Sequence, residues 1–451
     1  MNKIQHILTT LLLCFPLYIS AQQEDYYLVD DSNEIPDSLK EFMPRLWPET
    51  LQLELDQIIR TSPILSTSQY GIEVFDLTTE SMVYRKNEKK SFMPASTMKV
   101  FTSSAALAFL GKDHLFITQL GYTGTPKTNE YSIPQWQNIT VTDSLGTHTV
   151  RKASDPITKT SRTLHGNVCV KGAMDPMFSE SDVKRFAAAI KGLGVDTIYG
   201  NLVLDVTLKD TLMLGEGWMW DDGDTNPVLS PLLVDKKDIF ASTFQKYLKQ
   251  NGVILTGKTV KAEYPVNATN LTETTHSLFD ILNRTLKNSD NTYAECIFYR
   301  VGSVTSRQKG VSAKTAKEAI HRLIKRVGRS PEDYYIADGS GLSRYSHVSP
   351  ELEVDLLRYA YRRSHIFNTL YKKMPIAGVD GTLGSRMKGT KAQYNVHAKT
   401  GTLSGVSTLA GYCKAPNGHW LAFSIMNNGL KAAAQGREFQ NKICAALCTV
   451  E

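Results

Sequence analysis

The amino-acid sequence predicts an α+β fold in which both chain ends build one antiparallel sheet flanked by helices, with an all-helical region and a β-rich insertion between them. Three observations lead there. Near the start, YGIEVFDL (70–77) and SMVYRKN (81–87) alternate in polarity and are joined by TTE, the pattern of a β-hairpin. Near the end, YNVHAKTGTL (394–403), VSTLAGYCKA (406–415) and HWLAFSIMNN (419–428) also alternate, with turn chemistry at PNG (416–418). Between about 276 and 372 the spacing turns helical.

The elements follow in order. PETLQLELDQIIRTS (48–62) settles into a helix. The hairpin comes next, and then PASTMKVFTSSAALAFLG (94–111), with Pro94 near a helix start and Gly111 at its end. This helix is apolar nearly all round, which predicts central burial. From about 113 to 261 short strands and Gly-bounded turns dominate. LHGNVCV (164–170) and IYGNLVLD (198–205) read as two echoing strands opened by Gly-Asn, with a helix around DVKRFAAAIKGLG (182–194) between them. Two copies fall short of the three that a solenoid needs. Helices return in SLFDILNRTLKNS (277–289), NTYAECIFYRVGS (291–303), AKTAKEAIHRLIKRVG (313–328) and PELEVDLLRYAYRRS (350–364), and AAQGREFQNKICAALCTV (433–450) closes the chain. The expected organisation is a signal segment over 1–21, a discontinuous domain over 22–112 and 262–451, and an inserted domain over 113–261.

Composition narrows the function classes. With 451 residues, 41% hydrophobic and 21% charged, the chain is neither fibrous nor largely disordered. The net charge of +6 is spread along the chain without a Lys/Arg block, so no nucleic-acid partner is expected. MNKIQH, ILTTLLLCFPLY and ISA (1–21) have the layout of a cleaved secretory signal. Leu13 before Cys14 departs from a lipobox, so cleavage after Ala21 is expected rather than lipidation. No later run is long enough to span a membrane. The other five cysteines, Cys169, Cys296, Cys413, Cys444 and Cys448, are too sparse for a disulfide framework. Without C-x-x-C or H-E-x-x-H, neither a metal site nor a cofactor is expected.

The chemistry sits in three short patterns: Ser96-x-x-Lys99, Ser289-Asp290-Asn291 and Lys399-Thr400-Gly401. S-x-x-K occurs four times, at Ser96, Ser181, Ser306 and Ser385, but only Ser96 opens the buried apolar helix. A spacing of three puts Ser96 and Lys99 on one face. The free N–H groups of the helix start favour negative charge forming at Ser96. A serine needs a base before it attacks, and Lys99 serves if burial and a second cation, Lys399, lower its pKa. Lys399 would also attract a substrate carboxylate, together with Thr400. Ser289 would relay a proton to the leaving amine, and Asn291 would hold the acyl chain. Backbone N–H groups of Ser96 and Thr402 would form an oxyanion hole beside Gly401. The reaction so assembled is acyl transfer through an acyl-enzyme.

In this order the three motifs resemble the signature of class A β-lactamases and penicillin-binding proteins. LHGNVCVKGAMDPMF (164–178), GEGWMWDDGD (215–224), NSDNTYAE (288–295), DGSGLSR (338–344) and GTLGSRMKGT (381–390) resemble the D-alanyl-D-alanine carboxypeptidase/endopeptidase family of class C, low-molecular-mass penicillin-binding proteins, peptidase family S13. The resemblance runs from about 47 to 430. It implies a penicillin-binding/β-lactamase-like transpeptidase domain with a five-stranded antiparallel sheet. It also implies a periplasmic location, peptidoglycan muropeptides ending in D-Ala as substrate, and β-lactams as covalent inhibitors. KGAMDP (171–176) departs from the family's GGGDP, and the N-terminal leader matches nothing in the family.

Simpler readings stand beside these. Ser289–Asn291 also reads as an N-cap cluster. Tyr199-Gly200-Asn201 matches a Y-x-N variant but reads as a core tyrosine and a turn. Asp221, Asp222 and Asp224 lack EF-hand spacing, and Trp218 and Trp220 pack between domains or touch substrate. Asp338–Arg344 is a turn by residue type, and the resemblance alone makes it a site wall. A β-lactamase is the nearest rival, yet no E-x-x-L-N segment is present; the nearest string, FDILN (279–283), offers Asp280. A non-catalytic peptidoglycan-binding protein would need a lost motif, and all three are intact. A Ser-His-Asp hydrolase would need a G-x-S-x-G elbow, which the chain lacks.

Overall fold

A computed structural model describes residues 47–144, 146–219 and 226–450. The expected signal segment, Cys14, the leader, Trp220 and the three aspartates 221, 222 and 224 lie outside the described residues. In chain order the elements are α1 (Trp47–Thr61), β1 (Gln69–Asp76), β2 (Ser81–Lys86), α2 (Met98–Phe109), β3 (Leu115–Tyr122), β4 (Pro126–Asp143) and β5 (Gly146–His165). They continue with β6 (Val168–Lys171), α3 (Glu180–Gly192), β7 (Thr197–Tyr199), β8 (Leu202–Asp205), α4 (Phe240–Gln250), β9 (Ile254–Leu255), β10 (Thr259–Lys261) and β11 (Thr269–Ser277). The remainder is α5 (Leu278–Lys287), α6 (Asn291–Ser306), α7 (Ala313–Arg326), α8 (Pro350–Tyr361), α9 (Ser364–Lys373), β12 (His397–Leu403), β13 (Val406–Lys414), β14 (Trp420–Asn428) and α10 (Ala433–Leu447).

Both chain ends do form one five-stranded antiparallel sheet, in the order β12-β13-β14-β1-β2. Alternate residues of β14 explain its two covered faces. Leu421, Phe423 and Ile425 pack with Leu51 and Leu55 of α1 and Ile443 of α10. Ala422 and Met426 face the helical core, with Phe101, Ile297, Leu323 and Leu357. Residues 98–107 of α2 are all buried, as its all-round apolarity predicts. Among the described residues no helix is long and apolar enough to cross a membrane.

The inserted region is more regular than its sequence suggests. β5, β7 and β9 run parallel in one sheet, β6, β8 and β10 parallel in another, and α3 and α4 cross between successive copies. The Gly-Asn pairs interrupt the strands rather than open them. At Gly124, Gly166, Gly200 and Gly257 the chain steps from one sheet to the other. Successive backbones approach so closely that a Cβ at Gly200 would sit 2.0 Å from Gly166 O, and one at Gly257 2.1 Å from Gly200 O. Asparagines bind the steps together: Asn201 N donates to Asn167 Oδ1 (2.8 Å), and Lys258 N to Asn201 Oδ1 (2.9 Å). The boundary expected at 261 falls between β10 and β11 of a single sheet, because β11 pairs with β3. The polar sequence of β11, TNLTETTHS, shows little of the alternation that would reveal a strand.

β4 and β5 form a long two-stranded ribbon where short strands were expected. Pro134 lies at a bulge between Ile133 and Gln135, on a strand that is itself a sheet edge, where a missing N–H is tolerated. Cys169, Cys296, Cys413, Cys444 and Cys448 are buried free thiols.

Candidate active site

Ser96 lies in a 3-10 turn, Ala95–Thr97, leading directly into α2, so it precedes the helix instead of starting it. Ala95 has φ of 47°, a left-handed conformation that a β-carbon disfavours and that the surrounding packing must enforce. That packing comes from two glycines. A Cβ on Gly341 would lie 1.7 Å from Ala95 O, and one on Gly401 would lie 2.6 Å from Pro94 O and 3.0 Å from Ser96 N. The glycine of Lys399-Thr400-Gly401 therefore lets β12 approach the serine turn. β12 is an edge of its sheet, as expected for a strand beside a cleft.

Two serine–lysine pairs face each other here. Lys99 Nζ donates to Ser96 Oγ, Asn291 Oδ1 and Ser340 O, each at 2.8 Å. Lys399 Nζ donates to Ser289 Oγ at 2.8 Å and Thr400 O at 2.7 Å. Both lysines are fully buried, whereas Ser96, Ser289, Asn291 and Thr400 are only partly so. The expected set thus converges on one place, with Thr402 exposed on the same strand two residues beyond Thr400. Thr400 Oγ1 donates to Thr382 Oγ1 at 2.7 Å.

Burial lowers Lys99 to about 8, against the opposing pull of Asp338, Glu295 and Asp290. Burial also holds Lys399 well below its ordinary range, and the charge of Lys99 acts in the same direction. The charges that bear on Lys99 are carboxylates, so desolvation, rather than the second cation expected from sequence, biases it toward a neutral amine. A hydroxyl 2.8 Å from such an amine has a proton acceptor at hand.

Ser289 also adopts a left-handed conformation, with φ of 60°. Asp290 then caps α6 by accepting from Tyr293 N at 3.4 Å. Its other oxygen accepts from Arg284 Nε (2.8 Å) and from Lys236 Nζ (3.1 Å), a residue of the inserted region. Burial raises the Asp290 pKa, but those two cations outweigh it and leave the carboxyl below its usual range.

Around the site Glu295 and Glu353 were not singled out from sequence, and Asp338 and Trp218 do more than their readings as a turn residue and a packing residue. Glu295 Oε1 accepts from Gly339 N (3.0 Å) and Ser340 N (2.7 Å), and Asp338 accepts from Ser343 N (2.7 Å), Gly341 N (2.9 Å) and Trp218 Nε1 (2.9 Å). These two carboxyls shape the 338–344 loop so that Ser340 O meets Lys99. Trp218 is occupied in holding that loop. Glu295 left a trace in the sequence, as one charged residue amid the buried run Tyr293–Phe298 of α6. Beneath the serine turn, Glu353 of α8 accepts from Ser424 Oγ at 2.7 Å, and burial raises it to about 7. Asp280 bonds to Ser277 at the N-terminus of α5 (2.6 Å), where it serves as part of a helix cap.

This architecture is the fold of a penicillin-binding protein. The family model for D-Ala-D-Ala carboxypeptidase 3 (S13) matches residues 51–134, 147–236 and 227–450, and the chain belongs to that family of hydrolases. It is 28% identical over 444 residues to a D-alanyl-D-alanine carboxypeptidase of Actinomadura sp. (strain R39), covering 84% of this chain and 81% of that one. It is 23% identical to the D-alanyl-D-alanine carboxypeptidase DacB of Haemophilus influenzae, over 82% and 87% of the two chains. A crystal structure of penicillin binding protein 4 from H. influenzae superposes with a TM-score of 0.72 at 22% identity, covering 86% of this chain and 99% of that one. A second structure of that protein, complexed with a β-lactam, gives 0.67 at 23% identity over 86% and 98%. Residues 135–143, outside the family match, are the second half of β4.

Proposed function

We propose that this protein is a secreted serine D-alanyl-D-alanine carboxypeptidase/endopeptidase acting on peptidoglycan peptides in the periplasm through an acyl-enzyme at Ser96. The observation that supports it is the pair of 2.8 Å contacts, Lys99–Ser96 and Lys399–Ser289, with Asn291 bonded to the same Lys99. In this reading Ser96 Oγ attacks the carbonyl carbon of the penultimate D-Ala while Lys99 Nζ takes the hydroxyl proton. The N–H groups of Ser96 and Thr402 receive the oxyanion. As the C–N bond breaks, Ser289 passes a proton to the departing amine, and water then releases the acyl group. Lys399 and Thr400 receive the terminal carboxylate, with Gly401 keeping their strand close to the serine. A terminal D-Ala and a cross-linking amine differ only as leaving groups.

A β-lactam presents the same carbonyl but keeps its leaving amine tethered. Asp280, the acidic residue of the nearest E-x-x-L-N-like string, is engaged in a helix cap with Ser277, which favours a lasting adduct. Intact-mass spectrometry with and without a penicillin tests the assignment. An adduct mapping to the Ser96 peptide is expected. An unmodified protein with intact drug would point to a non-catalytic wall-binding role, and an unmodified protein with destroyed drug to a β-lactamase.

A further inference from the structure

We propose that a tyrosine-lined groove beside the 338–344 loop binds the N-acetylated amino-sugar strand of peptidoglycan, an inference that rests on the substrate class proposed above. The groove has a volume of about 540 Å³ and is lined by Ser91, Glu332, Asp333, Tyr335, Tyr345 and His347. It is shallow and open along one side, a shape along which an extended polymer can lie. Tyr335 and Tyr345 are 42% and 56% exposed; the Lys317 ammonium stands 5.1 Å over the Tyr335 ring, and Tyr345 is the ring more open to water.

Both rings are held in place. The Tyr335 hydroxyl donates to Glu216 Oε1 at 2.7 Å, and its backbone pairs with His347 at 3.0 and 2.8 Å. Gly217 packs so closely that a Cβ there would lie 2.8 Å from Tyr345 Cδ2. Rigid aromatic faces offer a platform whose ordering has already occurred before a ligand arrives. Glu332 and Asp333 add acceptors for hydroxyl and amide N–H groups and repel carboxylates. Flat C–H faces bordered by hydroxyls and acetamido groups match this lining; the acidic stretch of a stem peptide does not.

Position supports the same ligand. Tyr345 follows the loop whose Ser340 O meets Lys99, and Ser91 precedes Ser96 by five residues, at most about 18 Å of extended chain. A stem peptide's four residues between sugar and scissile bond span about 14 Å when extended. The two lengths are of the same order, so a peptide seated at Ser96 can carry its sugar toward the groove.

The test combines two measurements. A peptide-free N-acetylglucosamine tetramer is titrated into the Ser96→Ala protein by calorimetry, alone and with Tyr345→Ala or Tyr345→Phe added. Turnover of a D-Ala-D-Ala pentapeptide with and without its disaccharide is measured on proteins retaining Ser96. Saturable tetramer binding is expected, weakened about 3- to 10-fold by Tyr345→Ala and kept by Tyr345→Phe. Tyr345→Ala should lower kcat/KM for the disaccharide-pentapeptide by a similar factor and leave the pentapeptide unchanged. The proposal is overturned if the tetramer does not bind, or if Tyr345→Ala affects both substrates equally. Binding displaced by a free diamino peptide would also overturn it, because the groove would then be a peptide site. Lack of turnover on both substrates would count against the parent assignment, while the tetramer titration still reads the groove.

Discussion

Lys99 Nζ stands 2.8 Å from both Ser96 Oγ and Asn291 Oδ1, so one buried ammonium joins the first and second motifs of the site. Because burial lowers Lys99 to about 8, acylation by a chromogenic β-lactam is expected to rise with pH through a midpoint near 8, as the neutral amine becomes available. Lys99→Ala should slow acylation about 10²- to 10⁴-fold and abolish that rising limb. A pH-independent wild-type rate between 6 and 9 would contradict this.

The charge of Asp338 raises the Lys99 pKa. Asp338→Asn should therefore move the midpoint of the acylation profile below its wild-type position. The same change sets an amide among donors from Ser343 N, Gly341 N and Trp218 Nε1, and is expected to cost about 2–4 kcal/mol of stability. Thermal denaturation and the pH profile together check both effects.

Gly401→Ala tests whether the close approach of β12 sets the position of Ser96. The added methyl would fall 2.0 Å from Thr408 Oγ1 and 2.6 Å from Pro94 O, forcing the serine turn outward. A displacement of about 1 Å at a reacting atom costs roughly 10²-fold in rate. Acylation should drop by that order, with far-UV circular dichroism unchanged.

Glu353 predicts a slope in stability. Its carboxyl is raised from 4.5 to about 7 by burial. Below 4.5 the folded and unfolded chains are both protonated at this group, and its contribution is fully present. As pH rises toward 7 the unfolded chain releases the proton first, so stability falls by about 1.4 kcal/mol per pH unit, about 3 kcal/mol in all. Glu353→Gln should flatten that decline in denaturant titrations at pH 4.5 and 7.5, and an unchanged slope would refute it.

What could be read in advance was what is local. Alternation revealed the hairpin and the C-terminal meander, and all-round apolarity revealed α2, because each reflects one element against its own neighbours. Ser96 and Lys99 were legible as a spacing of three on one helix face. The arrangement of Glu295, Asp338 and Trp218 around one loop was not, since it joins three distant segments that only the fold brings together. The glycine steps at 166 and 200 were visible as a repeat. Their meaning was not, because it depends on which backbone passes alongside. The β4–β5 ribbon escaped because a strand pair with little buried on either face leaves weak periodicity.

The five free thiols among the described residues give the molecule a set of internal clocks. Cys296 belongs to the helical core, Cys413, Cys444 and Cys448 to the layer beneath the first sheet, and Cys169 to β6 of the inserted region. A thiol reagent reaches each only when its own region opens, so labelling rates followed peptide by peptide would time the separate openings of one chain without introducing a probe.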